Sequence, residues 1–238
     1  MPQYSDDLWL GAATGPQSKG WAGPGTVFAG VGPLGRVYIY DAVPAAIAAT
    51  GVCAAQAVSA AGNATINGTL ASGGVATFDY ARAVSAVSAN AGDTTQTITV
   101  SGTDYWGQAQ SELISLNGTT TVYGKKSFKT ITKVAVSASL AGNLSVGNSD
   151  VYGLPYAVTD AGYLLRTGWA NAVADNAGTF VAADATSPAT TTTGDVRGTF
   201  KPTTAANGTN RLVIAIGLTA IQAGPNATQT GAIGVTPA

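Results

Sequence analysis

The chain has 238 residues, with no histidine, one cysteine (Cys53) and a single glutamate (Glu112). Charged residues make up only 10%, against ~25% in typical soluble domains, and 11 basic and 12 acidic side chains leave a net charge of −1. The lack of histidine disfavours general acid–base catalysis, and the lack of a basic excess argues against nucleic-acid binding. The composition therefore favours a structural protein over an enzyme, with a weakly charged surface that associates with partners.

Residues 1–35 differ in composition from the rest of the chain. They are rich in proline and glycine and show no sustained strand or helix periodicity, so we predict an extended N-terminal arm. Large aromatic rings need burial, which such a segment cannot provide by itself. The arm therefore packs either on its own domain or on another subunit. Its aromatic side chains are candidate partner-binding residues: Tyr4, Trp9, Trp21 and Phe28.

No secretory or membrane-spanning segment is expected. The start of the chain carries Asp6 and Asp7 where a signal peptide would carry positive charge before an apolar run. Residues 42–61 are mostly alanine and contain Pro44 and Gly51, which makes them too weakly apolar to span a bilayer. Alanine also favours a short helix in the first half of this run, as an alternative to a strand.

From residue 36 onward, short strand-like runs alternate with turn signals such as Gly62-Asn63 and Asn117-Gly118. Without long amphipathic helices between them, these runs predict an all-β fold, a jelly-roll-like β-sandwich over residues 36–238 with a candidate C-terminal extension after 219. The predicted strands are 36–40, 52–59, 64–67, 94–101, 112–116, 121–123, 128–136, 144–146, 151–158, 163–169 and 211–218.

Two of these strands have the clearest patterns. In the run that ends at residue 101, Ile98 and Val100 alternate with threonine and serine, which predicts one buried and one exposed face. Residues 211–218 are almost continuously apolar, which predicts a central strand buried on both faces.

Lysines are concentrated in one predicted strand. On a regular strand, Lys125, Lys129 and Lys133 share one face, with Lys126 on the other. This arrangement has two interpretations: a solvated sheet face, or a surface that docks on an acidic partner in a salt-sensitive manner.

No metal, cofactor or catalytic site is predicted. The aspartates are scattered, without the spacing of a calcium loop, and no pair of carboxylates is singled out for glycoside hydrolysis. The Asn-x-Ser/Thr triplets fit turn chemistry. Tyr105, Trp106 and Trp169 are candidates for a sugar-stacking platform, although tryptophan in a sandwich is usually part of the core.

Several stretches, taken in their order along the chain, resemble a group of tailed-bacteriophage virion proteins. They include TITVSGTDYWGQAQSELI at 97–114, SVGNSDVYGLPY at 145–156 and FVAADATSPATTTTGDVRGTFKP at 180–202. The resemblance implies a capsid decoration, or cement, protein of jelly-roll type. Such proteins are made in the bacterial cytoplasm, sit outside the head as homotrimers and bridge major capsid protein subunits.

Two other functions stay open. The first is a head-fibre or adhesin-type protein that binds carbohydrate or a receptor through Trp106 or Trp169. The second is a virion enzyme that hydrolyses host glycans through aspartates. For the decoration protein, the candidate capsid-binding residues are those of the arm together with Lys125, Lys129 and Lys133.

Overall fold

The computed structural model describes residues 7–8, 35–170 and 178–219, which form an all-β, jelly-roll-like sandwich of curled antiparallel sheets. A short 3-10 helix, Ala161–Tyr163, lies among the described strands. The strands are β1 (Asp7–Leu8), β2 (Gly35–Ala42), β3 (Cys53–Gln56), β4 (Gly62–Asn63), β5 (Ala71–Ser72), β6 (Val75–Ser88), β7 (Thr97–Thr103), β8 (Ala109–Ser115), β9 (Val122–Val136), β10 (Leu144–Gly153), β11 (Leu164–Arg166), β12 (Gly178–Val181), β13 (Thr199–Pro202) and β14 (Leu212–Thr219).

The strands pair into a small and a large sheet. The four-stranded sheet has the order β1-β2-β14-β11. The ten-stranded sheet follows the path β12-β13-β10-β6-β9-β7-β8, with β3, β4 and β5 paired to strands of that path. The long strands β6, β9 and β10 change register along their length, which lets the large sheet curl around its core.

The sandwich has two apolar cores. The first lies within the curl of the large sheet and includes Ile98, Phe128 and Leu144, all fully buried. The second packs the inner face of the small sheet, including Ile214, against the β10–β13 end of the large sheet, including Tyr152. Along each strand, residues that point into a core alternate with residues that point outward, because successive side chains of a strand point to opposite sides.

A buried arginine connects the strands of the large sheet to the loop after β2. Arg82, on β6, is completely buried, and its Nη2 donates to the carbonyl oxygen of Ala45 (2.7 Å) and to the Tyr152 hydroxyl (3.1 Å). Its Nε lies 3.2 Å from Oδ1 of Asp79. The second carboxylate oxygen of Asp79 accepts from the backbone N–H of Ala45 (2.8 Å), so the loop is held from both partners of the ion pair.

The patterns predicted for two strands are confirmed in most respects. β7 alternates strictly, with Ile98 and Val100 fully buried and the residues between them half-buried. β14 is central in the small sheet, between β2 and β11. Only one of its faces is fully buried, because Val213 and Ala215 on the other face are half-buried.

Several sequence-based boundaries are wrong. The strand predicted at 52–59 is present as the shorter β3, and the alternative helix in the alanine-rich run is not found in residues 42–61. The predicted turn at Gly62-Asn63 is itself β4, paired with the end of β9. The predicted breaks near Gly124 and between 146 and 151 do not exist, since β9 and β10 are continuous. β6, a central strand, was not predicted, because small and polar residues there are buried on both faces.

The arm lies almost entirely outside the described residues. Of the arm, Asp7–Leu8 and Gly35 are described, and Asp7–Leu8 pairs as β1 with Arg36 and Gly35 at the start of β2. Tyr4, Trp9, Trp21 and Phe28 lie outside the described residues, and so does the candidate extension after 219.

Close packing of β7 on β9 predicts that Gly102 cannot be replaced. A Cβ atom on Gly102 would lie 1.9 Å from the carbonyl oxygen of Thr130, in the backbone of the neighbouring strand. We expect Gly102→Ala to lower the free energy of unfolding by about 3 kcal/mol, measured by urea denaturation. Gly92→Ala is the matched control, since its Cβ would meet only the Asn90 side chain at 3.1 Å. Equal stabilities of the two variants would contradict the prediction.

Candidate functional site

The predicted lysine surface does not have the regular geometry assumed for it. Phe128 and Ile131 belong to the same core although they are three positions apart, whereas same-face residues of a regular strand are an even number of positions apart, so alternation is interrupted within β9. The register shifts that cause this lie opposite both β6 and β7. A common face for Lys125, Lys129 and Lys133 therefore stays a prediction, since alternation is interrupted more than once along β9.

The lysines of β9 have environments that differ from one another. Lys125 and Lys133 are exposed. The ammonium of Lys129 donates to the backbone carbonyls of Phe78 and Asp79, at 2.7 Å each, where β6 changes register. Contact of the exposed lysines with a partner stays a prediction.

Lys126 and Glu112 form part of a buried polar network that the sequence did not indicate. Both side chains are almost completely buried, and the Glu112 carboxylate accepts from the backbone N–H groups of Lys125 and Lys126. The Lys126 ammonium donates to the carbonyl oxygen of Thr190 (2.7 Å). Thr190 belongs to the strap, as we name residues 182–198 between β12 and β13.

A second buried carboxylate fixes the end of the strap. Asp195 accepts from the backbone N–H (2.9 Å) and the hydroxyl (2.6 Å) of Ser127 on β9. The next charged residue of the strap, Arg197, forms a buried ion pair with Asp104. These buried side chains bind the strap to the large sheet.

Burial changes the proton affinity of this network. It raises the pKa of Glu112 to about 7, although the two backbone N–H groups and the nearby Lys126 oppose the change. Burial also raises the pKa of Asp195 and lowers that of Lys126. Asp184 behaves in the opposite way, since hydrogen bonds from Thr186 and Gly194 lower its pKa to about 2.

An aromatic cluster lies where the β7–β8 turn meets the small sheet and the end of β10. Neighbouring rings meet mostly edge to face, with centroids 5.0 Å apart for Tyr105–Trp106 and 4.9 Å for Tyr38–Tyr156. Its six members are Tyr38, Tyr40, Tyr80, Tyr105, Trp106 and Tyr156.

Trp106 is both fixed and exposed. Its backbone N–H donates to the Asp104 carboxylate (2.9 Å), and its indole N–H donates to the carbonyl oxygen of Pro155 (2.7 Å). Asp104 is itself held by Arg197. Even so, 52% of the Trp106 surface is exposed. The turn therefore presents a large apolar ring to solvent in one orientation.

Trp169 does not contribute to a stacking surface. It is 4% exposed and packs in the second core, beside β14. Of the tryptophans predicted as a platform, the structure leaves only Trp106 available to a ligand. The aromatic residues of the arm cannot be placed relative to it, because they lie outside the described part of the chain.

Within residues 7–8, 35–170 and 178–219, no group of three or more acidic or cysteine side chains is arranged to hold a metal ion. The same residues contain no helix long and apolar enough to cross a bilayer. Cys53 is buried. Comparison of the chain with protein-family models, with curated proteins and with solved structures gives no match. The function is therefore inferred from the residues of this chain.

The raised pKa of Glu112 predicts that stability falls as pH rises. The folded protein binds this proton more tightly than the unfolded chain, whose carboxyl has the ordinary pKa of 4.5, so the stabilisation is lost between about pH 4.5 and pH 7. We expect the free energy of unfolding, measured with urea, to decrease over this range. Glu112→Gln should reduce that slope, with the remainder due to Asp195.

Asp184→Asn is the control for this experiment. Because the pKa of Asp184 is lowered, its contribution is complete above about pH 4 and is lost only in more acidic solution. The variant should keep the wild-type slope between about pH 4.5 and pH 7. A Glu112→Gln protein with that same slope would contradict the assignment.

Proposed function

We propose that this chain is a decoration protein of a bacteriophage head, which binds as a homotrimer across neighbouring major capsid protein subunits on the outside of the shell. The ordered resemblance of stretches within residues 50–220 to such proteins supports this function. So does the low charge of the chain, which suits surfaces that are covered in an assembly. Binding only to the assembled shell would stabilise the shell by mass action.

The observation that carries the proposal is the exposed, fixed ring of Trp106. Tryptophan and tyrosine dominate the energetic centres of protein interfaces, because they bury large areas and lose little conformational entropy. Trp106 has already lost its freedom in the unbound protein, through its bonds to Asp104 and Pro155. A partner that covers it gains burial without the cost of ordering the turn.

The buried polar network supports the same function. Glu112, Lys126 and Asp195 are used in contacts with backbone groups or neighbouring side chains of the fold. These contacts join the strap to β8 and β9 and leave few degrees of freedom in this part of the sandwich. A rigid body of this kind is suited to bridging subunits whose spacing is fixed by a lattice.

A second candidate function is carbohydrate binding by a head fibre or adhesin. Trp106 favours it as well, because an exposed indole beside the rings of Tyr105 and Tyr156 can stack on the apolar face of a sugar. Protein and glycan partners are distinguished by whether the chain binds purified heads or isolated polysaccharide.

Trp106→Ala is expected to weaken binding to capsids. Wild-type protein should saturate heads assembled from the major capsid protein of the same phage, as measured by co-sedimentation. Loss of a central aromatic side chain should reduce the affinity by about thirtyfold, which corresponds to ~2 kcal/mol. Tyr123→Ala, also 52% exposed but outside the aromatic cluster, is the matched control and should bind normally. Failure of wild-type protein to bind heads would contradict the proposed function.

Deletion of residues 1–34 tests the role of the arm. The truncation leaves β2 complete and removes Trp9, Trp21 and Phe28 together with β1. If the arm anchors the protein on the capsid, the truncated protein should keep the β-type circular dichroism spectrum and melt cooperatively, yet lose head binding. Full occupancy of heads by the truncated protein would instead show that the arm packs on its own domain.

A further inference from the structure

A cavity of about 200 Å³ opens between the large sheet and two loops, away from the aromatic cluster. Its walls come from β9, β10 and β13 and from the loops that follow β2 and β13. Residues with chemically useful groups in these walls are Tyr123, Ser149, Asp150, Lys201, Thr203 and Thr204. The volume is below the ~300–1,000 Å³ of sites for drug-sized ligands, so the cavity suits one small ring.

Buried side chains of β10 hold both loops in place. The amide oxygen of Asn148 accepts from the backbone N–H of Ala48 (2.7 Å), which fixes the loop after β2. Oδ2 of Asp150 accepts from the backbone N–H of Ala206 (3.1 Å), which fixes the loop after β13. The cavity is therefore preformed, and a ligand would not have to order its rim.

Asp150 contributes to the cavity wall a buried carboxylate that can accept further hydrogen bonds. It is 5% exposed, and its other bond is with the Tyr152 hydroxyl, which donates to Oδ1 (3.0 Å). A carboxylate has about four lone-pair positions, so these two bonds leave room for further donors. Among the described residues, no lysine or arginine forms an ion pair with it. A buried carboxylate in this state is a favourable acceptor for ligand hydroxyls.

Tyr123 and Lys201 supply the remaining groups. The Tyr123 ring is 52% exposed, and the ammonium of Lys201 lies 5.5 Å from its centroid. The electron-rich face that attracts this cation also attracts the polarised C–H groups of a sugar. Once displaced from the ring, the ammonium can donate to a ring hydroxyl.

From this arrangement we infer that the cavity binds a single sugar residue, a hexopyranose at the end of or within a glycan. The sugar stacks on Tyr123 and donates hydroxyl hydrogens to Asp150, while Lys201 donates to its oxygens. The carboxylate in the wall disfavours phosphorylated ligands, which one lysine would not compensate. This inference goes beyond head decoration and is independent of it.

Saturation-transfer NMR tests the inference with intact protein and the methyl glycosides of glucose, galactose, mannose and galacturonic acid, each at millimolar concentration. At least one probe should receive saturation from the wild-type protein. Tyr123→Ala should weaken its binding by about tenfold or more, as the loss of a stacked ring does. Lys201→Met should weaken it by a smaller factor. Absence of transfer to all four probes would overturn the inference.

The controls separate this cavity from the aromatic cluster and from capsid binding. Trp106→Ala should bind the probe as wild type does. If instead that variant loses the probe while Tyr123→Ala keeps it, the inference is overturned and the sugar binds at the aromatic cluster. Tyr123→Ala is expected to lose sugar binding and to bind heads normally, whereas Trp106→Ala is expected to do the opposite. Failure of the sugar site and failure of head decoration are therefore distinguished by different variants.

Discussion

The buried cation of Arg82 is the interaction that holds the loop after β2 against the large sheet. Its guanidinium is completely buried on the central strand β6 and contacts Asp79, Ala45 and Tyr152. One side chain therefore joins the large sheet to the loop that follows β2, a strand of the small sheet. A buried arginine is tolerated only where such partners exist, because removal of one of them would leave an uncompensated charge. Through the Tyr152 hydroxyl, this contact continues to Asp150 and from there to the cavity rim.

The fold class could be predicted from the sequence because it depends on local patterns. The alternation at Ile98 and Val100 and the apolar run of β14 are properties of neighbouring residues, and the structure places both strands in buried positions. Strand ends were less predictable. Gly124 is a residue type that often ends a strand, yet it lies inside β9. It sits directly beside the Glu112 carboxylate, where only glycine leaves space.

The charged residues that matter most could not be found by pattern. The alternation of a strand places Lys126 on the face opposite Lys125, but it does not show that the strap, more than sixty residues further along the chain, covers that side chain. The burial of Glu112 and Asp195 depends on the same long-range contact. Trp106 was identified as a candidate together with Trp169, and sequence could not tell the exposed indole from the buried one, because the difference arises from the packing of β14.

The strap also affects how copies of this chain can meet. The border of a sheet is a row of unpaired backbone groups that can template an additional strand. At β8, one border of the large sheet, the N–H of Leu113 already donates to the carbonyl oxygen of Thr191 in the strap (2.8 Å). Among the described strands, β12 forms the opposite border. An additional strand at β8 would have to displace this contact with the strap, so the strap disfavours pairing of copies through β8.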